Sequence, residues 1–473
     1  MGELADTLSQ ELAAPPARLA LRPPNAGGNV SVRPPGGKSL TNRAGLLAAL
    51  ASGVSRVRGA LLDADDAKRM VAALAQLGAR VAPAHDAPGD LLVTGVDGCW
   101  QPRDAEVVLD LGNAGTATRF LAAAALLSPV PVPVTLDGNA RMRERPIGEL
   151  GQALERLGAT IEYRGTPGFP PMRITPPRDL AMTGRVLELG TTQSSQFISA
   201  LLLVAPWLPS GMTIKLSGEV TSPSYVSMTL GLLARLGASV RASDDLRVLR
   251  VGAGGREGVG KFDYAVEPDA SGATYFWGAG AIREDLAVRV EGLGVHSLQG
   301  DASFPSLLER MGATVTRAAE PAWTRVSRAE ELKALGADMT DMPDAAMTLA
   351  AVACFASGRS VIKGLRTLRV KETDRIAAMI TELSKIGVEI GTMPGDDGAI
   401  YVEPPKGGVD CSESCPAVEF DTYDDHRMAM SLALVSLRRP NVVVKDPACV
   451  AKTYPTFWKD FARLHGAATE EHS

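Results

Sequence analysis

The chain has 473 residues, of which 45% are hydrophobic and 22% are charged. This balance is typical of a globular protein, and the length is enough for two large domains. The formal net charge is −5, from 49 basic and 54 acidic residues, which excludes an overall positive field for nucleic acid or an anionic membrane. Any anion must therefore be bound by a local cluster of cationic side chains.

The sequence predicts a cytoplasmic enzyme without a membrane span or disulfides. Its longest apolar stretches, residues 120–127 and 197–208, are shorter than the roughly 18 to 20 residues that a spanning helix needs. The N-terminus lacks the basic start and apolar run of a secretory signal. Five scattered cysteines argue against a disulfide framework, and Cys411 with Cys415 lacks the further ligands of a metal site.

A short phrase recurs six times, in which an apolar helical stretch runs into Leu-Gly-Ala or a close relative and then a β-branched residue. Its glycines are Gly78, Gly158, Gly237, Gly312, Gly387 and Gly466, spaced 80, 79, 75, 75 and 79 residues apart. Each glycine predicts the left-handed end of a helix, and the residues after it predict a strand. The chain is therefore predicted to be an α/β protein of six similar units, arranged as one ring or as two groups of three.

Two helix starts are predicted from capping residues. Ser222 precedes Pro223, and Asp301 precedes Phe304 and Pro305 at the start of an apolar run. Serine and aspartate are favoured before a helix and proline in its first turn, so both polar side chains are expected to cap helices.

The first candidate site is a proline- and glycine-rich turn at residues 34–37, followed by Lys38, Ser39 and Arg43. A nucleotide-binding P-loop also ends in Gly-Lys-Ser, but Val32 stands where that motif needs its first glycine. The remaining interpretation is a turn whose donors suit phosphate or carboxylate oxygens. The alternative is a solvated turn.

Residues 111–119 form a second candidate, because small residues lead into an apolar helix. Asn113 and Gly115 would let backbone amides approach an anion at the positive end of the helix dipole, with Arg119 one turn further on. The alternative is a helix cap without a ligand.

Residues 137–146 carry Arg141, Arg143 and Arg145 at alternate positions beside Glu144. In an extended segment this alternation places like charges on one side, which costs free energy unless an anion compensates. The alternative is a surface turn in which Glu144 is the partner.

Two more segments, residues 190–197 and 221–225, are dense in hydroxyl and amide groups. Such groups bind hydroxyls or phosphate, but they also cap helices.

The second half of the chain supplies carboxylates beside cations. Asp344 begins an apolar helix, where it is a base or a cap. Residues 369–375 contain five charges, with Lys371 and Arg375 four apart on one predicted helix face and Glu372 between them. A helical ion-pair network is the alternative interpretation.

The last candidates are His426, within residues 421–430, and Lys452, within residues 451–455. A lone histidine is more often structural than catalytic. Taken jointly, at least seven cationic side chains lie in glycine-rich or polar turns of an acidic chain. This pattern favours a small polyanionic substrate.

The motifs resemble those of the 5-enolpyruvylshikimate-3-phosphate synthases, in the family's order from Lys38 to Lys452: GKS, GNAGTA, RMRERPIG, SSQF, PDAAM, RVKETDR and DDHRMAM. The resemblance implies an α/β fold of two similar domains, each of three βαβαββ repeats with helices inside, an inside-out α/β barrel with a pseudo-six-fold repeat. It implies one domain at residues 38–266 and a discontinuous one at residues 1–37 and 267–473 that close over the ligands. The discontinuous domain would carry Asp344, Glu372, His426 and Lys452.

The resemblance also implies which side chains bind the two substrates of this family. Those expected to bind shikimate 3-phosphate are Lys38, Ser39, Arg43, Ser194, Ser195, Gln196, Ser222, Tyr225, Asp344, Thr367 and Lys371. Those expected to bind phosphoenolpyruvate are Lys38, Asn113, Gly115, Arg119, Arg141, Gln196, Glu372, Arg375, Arg427 and Lys452.

The implied chemistry is proton transfer around an addition and an elimination. Asp344 would take the proton of the 5-hydroxyl, and Glu372 would deliver a proton to the methylene carbon and later remove one. Lys38 and Lys452 would stabilise developing charge, and His426 belongs to the same catalytic set. No metal or organic cofactor is implied, and a monomer that binds neither nucleic acid nor a membrane is expected.

Three positions bear on how closely the chain follows the family. Thr367 stands where several bacterial members have asparagine, and Phe120 follows Arg119 where many have proline. Gly115 is retained, so inhibition by glyphosate is expected.

Two alternative functions are considered. The sister enzymes that transfer enolpyruvyl to UDP-N-acetylglucosamine typically use a cysteine in an arginine-rich loop, and this chain has no cysteine between Cys99 and Cys354. A non-catalytic metabolite-binding repeat protein would be expected to lack Asp344, Glu372 or Lys452, and all three are present.

Overall fold

The computed structural model describes residues 16–180, 186–255, 258–328 and 330–465. The chain divides into two compact units. Unit 1 contains Met1–Pro35 and Glu267–Ser473, and unit 2 is Gly36–Val266. Gly466, the sixth glycine of the predicted repeat, lies outside the described residues, as do residues 1–15 of the predicted discontinuous domain.

The described ranges contain short strands and mostly short helices. The strands are β1 (Arg18–Leu21), β2 (Gly28–Val32), β3 (Val54–Arg58), β4 (Arg80–Pro83), β5 (Leu91–Thr94), β6 (Val107–Asp110), β7 (Val134–Asp137), β8 (Thr160–Tyr163), β9 (Met172–Thr175), β10 (Val186–Leu189), β11 (Met212–Leu216), β12 (Val240–Ala242), β13 (Val248–Val251), β14 (Asp263–Ala265), β15 (Leu286–Glu291), β16 (Ala313–Ala319), β17 (Ala322–Arg328), β18 (Gly336–Asp338), β19 (Ser360–Lys363), β20 (Glu389–Met393), β21 (Asp396–Glu403), β22 (Val418–Phe420) and β23 (Val442–Lys445). The helices are α1 (Lys38–Leu50), α2 (Asp65–Gln76), α3 (Gly115–Ala124), α4 (Gly148–Arg156), α5 (Ser195–Val204), α6 (Pro223–Arg235), α7 (Ala270–Ile282), α8 (Phe304–Arg310), α9 (Ala346–Ala353), α10 (Arg375–Ser384), α11 (His426–Ala433) and α12 (Phe457–Ala462).

Three of the repeats are continuous βαβαββ units. In the clearest, β6, α3, β7, α4, β8 and β9 follow one another and form a sheet of order β6-β7-β9-β8. The first pair, β6 and β7, is parallel and the other pairs are antiparallel. A parallel pair needs a crossover, which α3 supplies. The sheets β10-β11-β13-β12 and β18-β19-β21-β20 repeat this arrangement.

The other three sheets take one strand from a distant part of the chain. In unit 2, β14 pairs with β3 in parallel, and in unit 1, β2 pairs with β15 in parallel. The last sheet of unit 1 has the order β1-β23-β22, with β1 antiparallel to β23. Within the described residues each unit therefore contains three sheets, and the predicted α/β fold of two domains built from βαβαββ repeats is confirmed.

The first helix of each repeat forms the core of its unit. All residues of α3, α7, α9 and α11 are buried, which is the pattern of a helix enclosed by protein on every side. In unit 2, α3 packs against α5, and in unit 1, α9 packs against both α7 and α11. None of the helices in the described ranges is long and apolar enough to cross a membrane.

Five of the six predicted helix-ending glycines have positive φ: Gly78 (+106°), Gly158 (+88°), Gly237 (+90°), Gly312 (+100°) and Gly387 (+81°). Beside the first of them, the N–H of Ala79 donates to the carbonyl of Leu74 at 3.1 Å, the six-to-one bond of a Schellman motif. The prediction that glycine ends these five helices is confirmed.

The two predicted caps are wrong, although the helices begin at Pro223 and Phe304. Ser222 has a left-handed backbone with φ +47°, and its hydroxyl makes no capping bond. Asp301 lies in a 3₁₀ segment that continues directly into α8, so its carboxylate is not needed there. It instead accepts a hydrogen bond from Ser271 in the first turn of α7.

Candidate active site

In unit 2, Lys38 is the first residue of α1. The turn before it passes close to the backbone of another segment. A Cβ at Gly36 would overlap the carbonyl oxygen of Gly59, so the turn before α1 needs glycine at this position. The Nζ atom of Lys38 lies 3.1 Å from Oδ2 of Asp66, whose side chain is 1% exposed. Sequence reasoning missed Asp66, and the acidic pair Asp65-Asp66 at the start of α2 was its only signal.

Arg43 lies one turn further along α1 and is fully buried. Its Nε donates to Oγ1 of Thr229 at 2.8 Å, and its Nη1 donates to the carbonyl of Ser39 at 2.9 Å. Burial lowers the pKa of Arg43 to about 10. Within the described ranges its hydrogen-bond acceptors are hydroxyl and carbonyl oxygens, so its positive charge suits an anionic ligand.

Phe120, the residue that departs from many family members, packs against this arginine. The Cζ atom of Arg43 lies 5.0 Å from the centroid of the Phe120 ring, within cation–π range. The carbonyl of Tyr225 accepts from Nη2 of Arg43 at 3.3 Å and from the hydroxyl of Thr229 at 2.9 Å. Ser39, Arg43 and Tyr225, three predicted ligands of one substrate, are therefore brought together.

The hydroxyl and amide segment before α5 is tied to α3. Oγ of Ser194 accepts from the backbone N–H of Gln196 at 3.2 Å and so caps α5, while Ser195 is buried. The side-chain Nε2 of Gln196 donates to Oγ1 of Thr116 at 3.2 Å. The capping interpretation of Ser194 is correct, and it orients the amide of Gln196 toward the first turn of α3.

Asn113 and Gly115 face Arg145, which the sequence analysis singled out only as one of three arginines. Nη1 of Arg145 donates to Oδ1 of Asn113 at 2.9 Å and to its carbonyl at 3.2 Å. A Cβ on Gly115 would lie 2.5 Å from Nη2 of Arg145, so a larger residue there would force this guanidinium to shift. Arg119 is buried on the next turn, where its Nη2 donates to the carbonyl of Pro146 at 2.9 Å.

The prediction of an extended segment at Arg141–Arg145 is wrong, because Met142–Glu144 is a 3₁₀ turn. Oδ1 of Asn139 accepts from the N–H of Met142 at 3.0 Å and closes the turn locally. Nη1 of Arg141 pairs with Oε2 of Glu144 at 3.0 Å. Glu144 is therefore a partner of Arg141, while Arg143 pairs with Asp137 at 2.7 Å.

In unit 1, the buried guanidinium of Arg375 joins three carboxylates. Its Nη1 lies 3.0 Å from Oδ1 of Asp344, its Nη2 lies 2.9 Å from Oε2 of Glu372, and its Nε lies 2.8 Å from Oδ2 of Asp425. Burial favours the neutral guanidinium, but the charges of Asp425, Glu372 and Asp344 outweigh it and raise the pKa of Arg375. The group is a permanent cation that fixes the two predicted proton-transfer carboxylates.

Two more predicted cations contact Asp344. Nη2 of Arg427 lies 3.0 Å from its Oδ2, and Nζ of Lys371 lies 3.8 Å from its Oδ1. The prediction that Lys371 and Arg375 share a helix face is wrong, because α10 begins only at Arg375. The side chain of Asp374 accepts from two backbone amides and caps α10 there, which leaves Lys371 outside the helix.

Glu372 and Lys452 form the other half of this cluster. Nζ of Lys452 lies 3.4 Å from Oε1 of Glu372, and the two side chains are 12% and 6% exposed. Lys452 ends the 3₁₀ segment Pro447–Lys452. A carboxylate beside an ammonium in partial burial can exchange a proton with a bound substrate without contacting bulk water.

His426 and Thr367 are the remaining predicted site residues of unit 1. The ring of His426 is fully buried at the start of α11, with Nδ1 3.6 Å from Oδ1 of Asp425. Thr367 lies in the 3₁₀ segment Arg366–Val370, and its Oγ1 is buried without a hydrogen-bond partner among the described residues. Asp425, which the sequence analysis left without a role, caps α11 and holds Arg375.

Asp301 is a further buried acid of unit 1. Burial, and secondly the charge of Asp344, raise the pKa of its carboxyl to about 7.

Among the residues that the structure describes, no group of three or more His, Cys, Asp or Glu side chains is arranged to bind a metal.

The sequence is similar to one family of known proteins over most of its length. The model of the family described as EPSP synthase (3-phosphoshikimate 1-carboxyvinyltransferase) matches residues 26–461. The 3-phosphoshikimate 1-carboxyvinyltransferase of Laribacter hongkongensis is 44% identical over 448 residues, covering 91% of this chain and 95% of the relative. That of Thiobacillus denitrificans is 45% identical over 436 residues, covering 92% and 96%.

Solved structures give the same result. EPSP synthase from Acinetobacter baumannii aligns with a TM-score of 0.75 and 25% identity, covering 94% of this chain and 98% of that one. The enolpyruvyl transferase NikO from Streptomyces tendae, at 18% identity, is similar in fold with a TM-score of 0.70 over 95% of this chain and 97% of its own.

Two units of βαβαββ repeats, with clustered arginines, lysines and buried carboxylates, define an enzyme of the transferase class with the enolpyruvyl transferase fold. The family match spans most of the residues, and relatives above 40% identity cover more than nine-tenths of the chain. The chain belongs to the EPSP synthase family.

Proposed function

We propose that this chain transfers the enolpyruvyl group of phosphoenolpyruvate to the 5-hydroxyl of shikimate 3-phosphate and releases inorganic phosphate. The observation that carries this proposal is the cluster around Arg375, where Asp344 and Glu372 are held by one buried guanidinium. Two fixed carboxylates suit a reaction that needs a base at one atom and an acid at another. The names of the relatives supply the reaction, and this cluster supplies groups able to perform it.

The addition step is assigned to Asp344 and Glu372. The carboxylate of Asp344 takes the proton of the 5-hydroxyl as the oxygen bonds to carbon 2 of phosphoenolpyruvate. The carboxyl of Glu372 gives its proton to carbon 3. The double bond between carbons 2 and 3 becomes a single bond, and carbon 3 becomes a methyl group. Lys452, 3.4 Å from Glu372, stabilises the charge of the tetrahedral intermediate together with Lys38.

The elimination step reverses the role of Glu372. The bond between carbon 2 and the phosphate oxygen breaks, Glu372 removes a methyl proton, and the vinyl group forms in the product. The proton taken by Asp344 leaves with phosphate, so the site returns to its starting protonation. His426, buried beside Asp425, is assigned to the same set, and no cofactor takes part.

Unit 2 is assigned most of the binding of shikimate 3-phosphate. The charge of Arg43, whose described hydrogen-bond acceptors are hydroxyl and carbonyl oxygens, supports this assignment. The other proposed ligands there are Lys38, Ser39, Ser194, Ser195, Gln196, Ser222 and Tyr225, and Asp344, Thr367 and Lys371 complete the set.

Phosphoenolpyruvate is assigned to the remaining cations and to the turn before α3. Its proposed ligands are Lys38, Asn113, Gly115, Arg119, Arg141, Gln196, Glu372, Arg375, Arg427 and Lys452. We also propose a cytoplasmic monomer that glyphosate inhibits. Unchanged turnover in excess glyphosate at limiting phosphoenolpyruvate would contradict that inhibition, and the mass in solution would test the monomer.

The function is tested by phosphate release from purified protein supplied with phosphoenolpyruvate and one acceptor. Release with shikimate 3-phosphate but not with UDP-N-acetylglucosamine is expected. Release only with the nucleotide sugar would assign the sister activity. If neither acceptor gives phosphate while ligands still raise the melting temperature, the chain is a binding protein.

A further inference from the structure

The loop before α11 contains two strained residues in succession. Tyr423 and Asp424 have φ values of +56° and +53°, although neither is glycine. Side chains of L-residues disfavour this left-handed region, and a bulky aromatic residue is a particular outlier there. Such conformations persist only where neighbouring groups hold them, and they recur at functional sites. The pair immediately precedes Asp425, the cap of α11.

One buried carboxylate holds the first part of this loop. Oε1 of Glu382 accepts a hydrogen bond from the hydroxyl of Tyr423 at 2.7 Å, and its Oε2 accepts from the backbone N–H of Asp421 at 2.9 Å. Nζ of Lys385 lies 2.5 Å from the same Oε2 and balances its charge. Glu382 is fully buried, so these partners replace the water it has lost.

The same helix holds the second part of the loop. Glu382 lies seven residues after Arg375, which is two turns of α10, so the two side chains share one face. Nε of Arg375 lies 2.8 Å from Oδ2 of Asp425, and the N–H of Asp425 donates to the carbonyl of Thr422 at 2.9 Å. One face of α10 therefore fixes residues 421–425 at both ends.

Because the loop is fixed at both ends, the start of α11 is fixed as well. Asp425 caps α11 by accepting from the N–H of Arg427 at 2.9 Å, and the side chain of Arg427 reaches Asp344. A shift of the strained loop would move Arg427 with the first turn of its helix. A small displacement of a charged ligand-binding group lowers the affinity for the ligand strongly.

We propose that Tyr423 and Glu382 are positioning residues that set the location of Arg427 for phosphoenolpyruvate. The inference rests on the proposed function, which assigns Arg427 to that substrate. Tyr423 and Glu382 act through the loop and not by contact with the substrate.

Tyr423 is the better of the two for substitution. Tyr423 is 38% exposed, so replacing it does not open the core, whereas Glu382 is buried and paired with Lys385. Burial of its hydroxyl, and then the hydrogen bond to Glu382, raise the pKa of Tyr423 to about 12. The hydroxyl therefore remains a donor at the neutral pH of an assay.

Two substitutions separate the hydrogen bond from the backbone strain. Tyr423→Phe removes only the donor, while Tyr423→Gly also relieves the left-handed strain. Both are expected to raise the KM for phosphoenolpyruvate roughly three- to ten-fold, within the range for loss of an ordinary hydrogen bond, with the KM for shikimate 3-phosphate unchanged. Tyr401→Phe, in β21, is the control and should match the wild type in both constants.

The outcomes are distinguishable from failure of the proposed function. Inactive wild-type protein would refute the proposed function before any variant is compared. With an active wild type, an unchanged KM for phosphoenolpyruvate in Tyr423→Phe overturns the inference, even if the melting temperature falls. A wild-type KM in Tyr423→Gly would likewise overturn it, because the loop would then hold Arg427 in place without the Tyr423 hydroxyl.

Discussion

The Nη1 atom of Arg375 lies 3.0 Å from Oδ1 of Asp344, and both side chains are largely withdrawn from solvent. The same guanidinium also contacts Glu372 and Asp425, so one cation joins three carboxyl groups in one small volume. A buried charge cluster of this kind is maintained only when its charges are paired. We predict that some residues of this cluster are needed mainly for folding and others mainly for the reaction.

Replacing Asp344 should affect the reaction far more than the fold. In Asp344→Asn, Arg375 keeps its contacts with Glu372 and Asp425, while the proposed base is lost. We expect kcat to fall about 10²- to 10⁴-fold, the usual contribution of general base catalysis. Steady-state kinetics test this, with the exposed Asp341→Asn as the control. An Asp344→Asn enzyme with unchanged kcat would rule out the assignment.

Replacing Arg375 should affect the fold. Arg375→Met leaves Asp344, Glu372 and Asp425 without their shared cation, and removing one partner of a buried ion pair costs about 3–5 kcal/mol of unfolding free energy. Denaturant titration measures this loss. The exposed Arg359→Met, which loses surface ion pairs and a contact with the Tyr401 ring, is the control and should change stability far less. Equal effects of the two substitutions would contradict the central role of Arg375.

Adding one methyl group at Gly115 should displace Arg145. A Cβ there would lie 2.5 Å from Nη2 of Arg145, so Gly115→Ala must move the guanidinium from Asn113. We expect a higher KM for phosphoenolpyruvate with little change in the KM for shikimate 3-phosphate. Gly336→Ala is the control, because nothing lies within 4 Å of its added Cβ. Identical kinetics of wild type and Gly115→Ala would show that this guanidinium is not used.

Asp301 should make stability depend on pH. Burial, and then the charge of Asp344, raise its pKa from the ordinary 3.8 to about 7, so the folded state binds more protons than the unfolded state between these values. Stability from this group is therefore lost as pH rises through that window, by an amount on the order of 4 kcal/mol. Asp301→Asn cannot titrate.

Denaturation of the wild type and Asp301→Asn at several pH values tests this sign. The variant should gain stability relative to the wild type between about pH 4 and pH 7, and the difference should be constant above that range. Parallel stability curves across the whole range would mean that Asp301 ionises in the folded protein as it does in the unfolded chain.

The sequence predicted the repeat better than the local geometry of the sites. Glycines such as Gly78 and Gly158 end helices wherever they occur in the described repeats, because this depends on local backbone conformation alone. The helix face assigned to Lys371 and Arg375 was wrong because Asp374 caps the first amides of α10, so the helix begins only after Lys371.

The cluster around Arg375 could not be predicted from spacing. Asp344 and Asp425 lie 31 and 50 residues from Arg375, and only the folding of three separate segments brings them together. Asp66 and the contact between Arg145 and Asn113 were missed for the same reason. The motif order nevertheless identified most of the charged residues in these clusters, since each one occurs in a segment rich in glycine, hydroxyl groups or charge.

The most direct test of the account is the isotope content of the product made in D₂O. If a solvent-exchangeable acid, assigned to Glu372, protonates carbon 3 and later removes a proton, part of the product must carry deuterium in its vinyl methylene group. Mass spectrometry of the product should show this deuterium, and Glu372→Gln should make little product. A product formed at the wild-type rate without deuterium would contradict addition followed by elimination.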